Sequence, residues 1–381
     1  MYKNVPSHTV LVNADGLSHF FQLRKRHPCC IFCKEMIYMW NGFITVLSTV
    51  VVFVVLIFIH EFGHFIAARL CGVGINEFSI GMGPSLFSWR SKKYGTRYGV
   101  RALPIGGYVS MVGEDEASDD ESAYCNKSIW KRMAIVLAGP TMNLVLGFLL
   151  MTVIVFSQTA LASTTIAEFN EDATSNKYLQ VGDKIVAVDG VPVYTGNDAA
   201  YEIMNQGYEP IDITVIRNGE KVKIKDITFS SFSEDGVTFG NYDFKFLAEG
   251  KSFGNLIKHS FWRSVSTVKM VIDSVVSLVT GRYGLDAVSG PVGVAEVVGD
   301  AARGGIINLF YIVTVLSINL GVFNLIPFPA LDGGRFMFLI IEAICRKPIN
   351  KDVEKYVNLV GIAILFAFML FVMCKDIIKL F

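Results

Sequence analysis

Seventeen consecutive uncharged residues, Phe43 to Ile59 (FITVLSTVVVFVVLIFI), run directly into His60-Glu61-Phe62-Gly63-His64. As a helix that run nearly crosses the hydrocarbon core of a bilayer, so it constrains the chain before any other feature does. A His-Glu-x-x-His pattern on a helix sets two imidazoles one turn apart on the same face. Both can then reach one Zn²⁺, and the Glu between them stands ready to act as a base on a water. The pattern alone is common, but its position is not. His and Glu are costly in hydrocarbon and occur there with a functional reason. Of six histidines, three precede residue 30 and His259 stands alone; only His60 and His64 fall in an apolar segment. A catalytic zinc keeps three protein ligands and an open position, so a third ligand has to come from elsewhere in the chain.

The rest of the composition agrees with a membrane protein. The chain is 52% hydrophobic and only 18% charged, with a mean hydropathy of +0.46. Its zero formal net charge excludes a global basic field for nucleic acid. The seven cysteines are odd in number and absent from residues 160–250, so no disulfide framework is implied. Cys30-x-x-Cys33 is a single pair with no matching second one, and it is assigned no metal or redox role.

Four long uncharged segments, 43–59, 133–167, 304–331 and 356–374, are each long enough, or nearly so, to span as helices. Pro327 and Pro329 should unwind the third near its end, and broken backbone at membrane depth is tolerated only where it lines a cavity. Trp40 and Trp130 open the first two spans as interfacial aromatics do. Arg90, Lys92, Lys93, Arg97, Arg101, Lys127, Lys131 and Arg132 place the loop between the first two spans in the cytoplasm. Arg335, Arg346, Lys347, Lys351 and Lys355 do the same for the loop between the last two. Residues 160–300 and both termini are then expected outside. Residues 1–40 fit poorly, because Lys3, Arg24, Lys25, Arg26 and Lys34 are an awkward load to translocate. They are read as an N-terminal extension, with Met36 and Met39 as alternative starts. Between residues 74 and 111, β-type runs with Gly and Pro punctuation predict one or two hairpins, followed by a solvated acidic loop at 110–121. Residues 160–246 read as a small β-rich domain, and 252–280 as an amphipathic helix lying on the membrane rather than a fifth span.

Three motifs, HEFGH, VGDKIVAVDG and FNLIPFPALDGG, come in an order and at membrane positions that resemble the bacterial site-2 protease family of intramembrane zinc metalloproteases, in particular its regulator-of-sigma-E branch. The resemblance covers residues 41–378. It implies Asp332 as the third zinc ligand beside His60 and His64; by itself Asp332 reads equally as a helix-end aspartate at the interface, the first charge after 28 uncharged residues. It implies Glu61 as the general base, Asn324 as a contact to substrate or oxyanion, and Asn143 of the Ala138–Asn143 stretch as a second substrate-side residue. As isolated residues either Asn could simply bond a neighbouring helix. Segments containing Gly81-Met82-Gly83-Pro84 and Ile105-Gly106-Gly107-Tyr108 resemble the family's membrane-reentrant β-hairpins, where Gly106 and Gly107 would border a substrate added as a strand.

Leu179 to Gly190 resembles a PDZ domain. The Ala-Gly-Leu usual before that stretch is replaced by Lys177-Tyr178-Leu179, which favours a size-excluding gate over capture of peptide C-termini. The fold expected is therefore a polytopic α-helical membrane protein of about four transmembrane helices, with membrane-associated β-hairpins and an inserted β-rich PDZ domain. Its expected divisions are 1–40 (extension), 41–157 (first two spans), 158–246 (PDZ domain, outside), 247–302 (membrane-surface segment) and 303–381 (last two spans). The expected function is Zn²⁺-dependent cleavage, in the bacterial inner membrane, of single-pass proteins such as anti-sigma factors or remnant signal peptides. A non-catalytic PDZ-bearing scaffold is the alternative, which the intact His60, Glu61, His64 and Asp332 disfavour. A metal transporter would need further acidic or His residues in the spans. The lipid bilayer is the other expected partner, nucleic acid is not one, and oligomeric state is left open.

Overall fold

The computed structural model describes residues 31–114, 118–234 and 236–379; the extension expected at 1–40 lies outside the described residues up to residue 30. The chain divides into two compact units, 31–150 with 289–381, and 151–288. Four helices are long and apolar enough to cross a membrane: Met39–Leu70, Ile129–Ser157, Ile306–Leu325 and Lys351–Ile378.

The first unit opens with helix α1, Ile31–Leu70. The sequence reading ended this span where HEFGH begins, but the helix runs on for a further turn and a half past His64. Arg69 closes it, lying 4.2 Å over the Tyr94 ring and donating to Thr96 Oγ1 at 2.6 Å. Strands β1 (Ile75–Arg90) and β2 (Arg97–Met111) follow. They form one long hairpin folded back on itself. Residues 75–80 lie between 107–111 and 97–100, and 97–100 also pair antiparallel with 87–90. Repeated register shifts permit this curl. Segment 107–111 is left as an outer edge among the described residues. The far half of the hairpin is exposed and apolar, with Leu86 72% and Phe87 63% accessible.

Helix α2, Ile129–Ser157, returns against α1. In the second unit, strands β3 (Leu161–Phe169), β4 (Lys184–Val188), β5 (Val191–Pro192), β6 (Ile211–Arg217), β7 (Glu220–Ile227) and β10 (Phe244–Glu249) form a sheet in the order β10-β3-β4-β6-β7, with β5 on β4. Strands β8 (Ser230–Glu234) and β9 (Val237–Asn241) make a separate hairpin. The alternating apolar residues of these strands meet helix α3, Gly196–Gln206, around a core that includes Ile166, Ile185, Ile203, Ile213, Phe244 and Phe246. Thr195 and Asp198 start α3 with a reciprocal capping box. Buried Asp183 of the VGDKI stretch accepts two bonds from Arg217, at 2.7 and 2.8 Å, and ties the turn before β4 to β6.

Helix α4, Phe253–Val279, buries polar residues such as Ser260, Ser264 and Thr267 against this unit. Its outer face carries Phe253, Ile257, Phe261, Val265, Ile272 and Val276, all exposed. That is the reverse of a soluble surface helix.

The first unit then resumes with helices α5 (Pro291–Gly304), α6 (Ile306–Leu325), α7 (Asp332–Cys345) and α8 (Lys351–Lys379). The expected break is there: α6 stops before Pro327 and α7 begins at Asp332. The sequence reading missed α5 and α7, because neither is long enough to register as a span.

His259 is 1% exposed, with Nε2 3.2 Å from Glu249 Oε2. Burial holds its imidazole below the ordinary value; Lys258 and Arg263 act the same way and Glu249 opposes them. The folded chain therefore resists protonating His259, whereas the unfolded chain takes up that proton below about pH 6.5. Stability should fall between pH 7 and 5.5, by at most about 1.4 kcal/mol per pH unit from this group. Denaturant unfolding in detergent at the two pH values should show a smaller loss for His259→Gln; an equal loss would assign the pH dependence elsewhere.

Candidate metal centre

α1 and α2 meet through one stripe on each helix. On α1 the stripe is His60 and His64, one turn apart; on α2 it is Ile135, Gly139 and Asn143, spaced by four. His64 Nδ1 lies 2.8 Å from the Ile135 carbonyl. A carbonyl can only accept, so Nδ1 carries the proton and the Nε2 lone pair faces the interior. Gly139 passes directly over the same ring: a Cβ added there would sit 2.2 Å from His64 Nε2. His60 Nδ1 is 3.2 Å from the Asn143 side-chain amide. The two imidazoles stand nearly perpendicular, at 82°.

The break between α6 and α7 delivers Asp332 to this pair. Its Oδ2 is 3.1 Å from His60 Nε2 and 3.3 Å from His64 Nε2, and the two Nε2 atoms are 3.3 Å apart. The triangle is nearly equilateral. Tetrahedral zinc with ligands at 2.0–2.2 Å has donor–donor edges of about 3.3 Å. Despite this proximity, Asp332 Oδ2 is buried and makes no hydrogen bond. A carboxylate oxygen this close to two imidazole nitrogens, yet bonded to neither, shares a common centre with them, so the donor set fits a zinc ion. It is the only group of three or more potential ligands among the described residues.

Glu61 lines the same cavity, together with Tyr108 and Met111 of β2. Gly107 presses on Glu61, where an added Cβ would lie 3.1 Å from its Cγ. Gly106, one residue earlier in the strand, sits beside Met82 at φ +79°. Asn143 is fully buried and points at His60. Asn324 is half-buried near the end of α6 and does not line the cavity.

Arg335 and Glu114 do line it, joined at 2.7 Å, and the sequence reading assigned neither. Arg335 stands one turn after Asp332 on α7, a spacing that could have revealed it. Glu114 falls in the acidic stretch 110–121, which the sequence predicts as a solvated loop.

Two imidazoles, a carboxylate and an adjacent glutamate, gathered in a unit with membrane-length helices, define the class: a zinc metalloprotease of a membrane. Residues 48–368 match Peptidase family M50, and the chain belongs to that family, the site-2 proteases. A protein of Clostridium acetobutylicum, whose name provisionally assigns it as a zinc metalloprotease, is 36% identical over 343 residues, covering 88% of this chain and 98% of that one. The regulator of sigma-W protease RasP of Bacillus subtilis is 28% identical over 420 residues, covering 88% and 99%. The zinc metalloprotease RasP of Shouchella clausii is 30% identical over 421 residues, with the same coverage.

Gly139→Ala has no room for its methyl. It should displace His64, destabilise the protein by about 1–3 kcal/mol and lower peptidase activity at least tenfold. Activity and unfolding midpoint measured together would show this; wild-type activity in the variant would mean the close approach is not needed.

Proposed function

We propose that the chain is an intramembrane endopeptidase of a bacterial cytoplasmic membrane that cuts transmembrane segments of single-pass proteins. The observation that carries this reading is the convergence of His60, His64 and Asp332 on one point, with both histidines inside a candidate span, Met39–Leu70. His60 Nε2, His64 Nε2 and an Asp332 carboxylate oxygen are the zinc ligands in this reading. Zinc, when bound, supplies Lewis acidity toward a water nucleophile and the scissile carbonyl. Glu61 takes the proton from the attacking water and passes it to the departing amine nitrogen.

A helical substrate hides its peptide bonds in its own hydrogen bonds. The unpaired edge at 107–111, with Tyr108, Val109 and Met111 on the cavity wall, supports a solution in which the unwound substrate adds as a strand. Gly106 and Gly107 keep that edge clear of side chains. Asn324 remains a contact for substrate in this reading, although it does not face the cavity.

The 158–246 region acts as an extracytoplasmic PDZ domain that excludes large ectodomains. The apolar outer face of α4 rests on the bilayer. Because the Bacillus subtilis relative is named a regulator of sigma-W, anti-sigma factors are the first substrates to test, with remnant signal peptides beside them.

Tagged single-pass reporters incubated with purified enzyme, with the fragments identified by mass spectrometry, test the proposal. Glu61→Gln should keep its zinc and lose about 10²–10⁴-fold in rate, and Asp332→Ala should lose the metal as well. Equal cleavage by wild type and Glu61→Gln would end the assignment.

A further inference from the structure

Asn143 was expected on the substrate side of the site. The structure shows what surrounds it. It is fully buried within α2, its backbone carbonyl accepts from Ser317 Oγ of α6 at 2.7 Å, and its side-chain amide stands against His60 Nδ1. It is not among the residues that line the cavity.

The two histidines are thus both backed by α2, but not equally. The Ile135 carbonyl fixes the His64 tautomer outright, because it can only accept. The Asn143 amide offers either an acceptor or a donor, and its two ends have the same shape. As the amide stands, its nitrogen is nearest Nδ1 at 3.2 Å, while its Oδ1 is buried without a partner. That orientation would make Nδ1 accept and put the ring proton on Nε2, the atom 3.1 Å from Asp332 Oδ2. A protonated Nε2 has no lone pair to give a metal. A half-turn of the amide exchanges its two ends: it places Oδ1 on Nδ1–H and frees Nε2 for a metal.

We infer that Asn143 is a positioning residue: its carbonyl oxygen accepts from His60 Nδ1–H and so fixes the tautomer in which His60 can bind zinc. Ile135 and Asn143, two turns apart on α2, then do the same work for the two histidines. The inference rests on the zinc-ligand reading above.

Zinc affinity of the purified full chain, measured by chelator competition, tests it without recourse to activity. Asn143→Asp keeps an acceptor and nothing else, so it should bind zinc within about threefold of wild type. Asn143→Leu should bind about 10- to 100-fold more weakly, the usual loss for an outer-shell partner. If Asn143→Asp falls as far as Asn143→Leu, or if Asn143→Leu equals wild type, the inference is wrong. Should the Leu variant not fold, ¹⁵N-histidine spectra of the zinc-loaded wild type decide. They should show His60 protonated at Nδ1 and ligating through Nε2, and the reverse would overturn the assignment. A wild type that binds no zinc at these residues would instead defeat the ligand reading itself.

Discussion

Two imidazole nitrogens and a carboxylate oxygen stand 3.1–3.3 Å apart with no hydrogen bond at the buried Asp332 Oδ2, an arrangement a protein does not hold for its own sake. With all three lone pairs turned inward they repel; a divalent cation turns the same geometry into its main attraction. Much of the first unit can be understood as the means of holding them there. α1 supplies two donors through helical spacing, and the Pro-broken connection from α6 to α7 supplies the third from a distant part of the chain. α2 lies behind both imidazoles, and Gly139 lets it approach closely enough to do so.

The surroundings follow from the same requirement. A hydrolytic site needs water and an extended peptide, and apolar helices offer neither. The cavity wall answers with polar groups, Glu61, Glu114 and Arg335, beside strand segment 107–111. That strand is the unpaired edge of a hairpin whose far half is apolar and exposed, as a surface in contact with lipid would be. Arg335 and Glu114, paired at 2.7 Å, place a fixed charge pair at the cavity without leaving either group unmatched.

How much of this the sequence disclosed depended on how local each cause was. HEFGH carries its geometry in its own spacing, so His60 and His64 were legible at once. Asp332 was legible only through resemblance, since no local rule links residue 332 to residue 60. The helix break before it was visible in Pro327 and Pro329. The positions of Asn143 and Gly139 were not, because they depend on how two helices face each other, which no periodicity specifies. Arg335 had a local signal in its one-turn spacing from Asp332, but its pairing with Glu114 did not, because the two meet only when α7 packs beside the end of the hairpin. The curl of that hairpin was also hidden: alternation predicts strands but not that residues 75–80 find neighbours on both sides.

The central claim is the identity of the ligand set, and zinc X-ray absorption on the purified protein tests it most directly. The account predicts a first shell of nitrogen and oxygen only, at about 2.0–2.2 Å, with two imidazoles in it. A sulfur shell at about 2.3 Å would bring cysteine into the site and contradict the account.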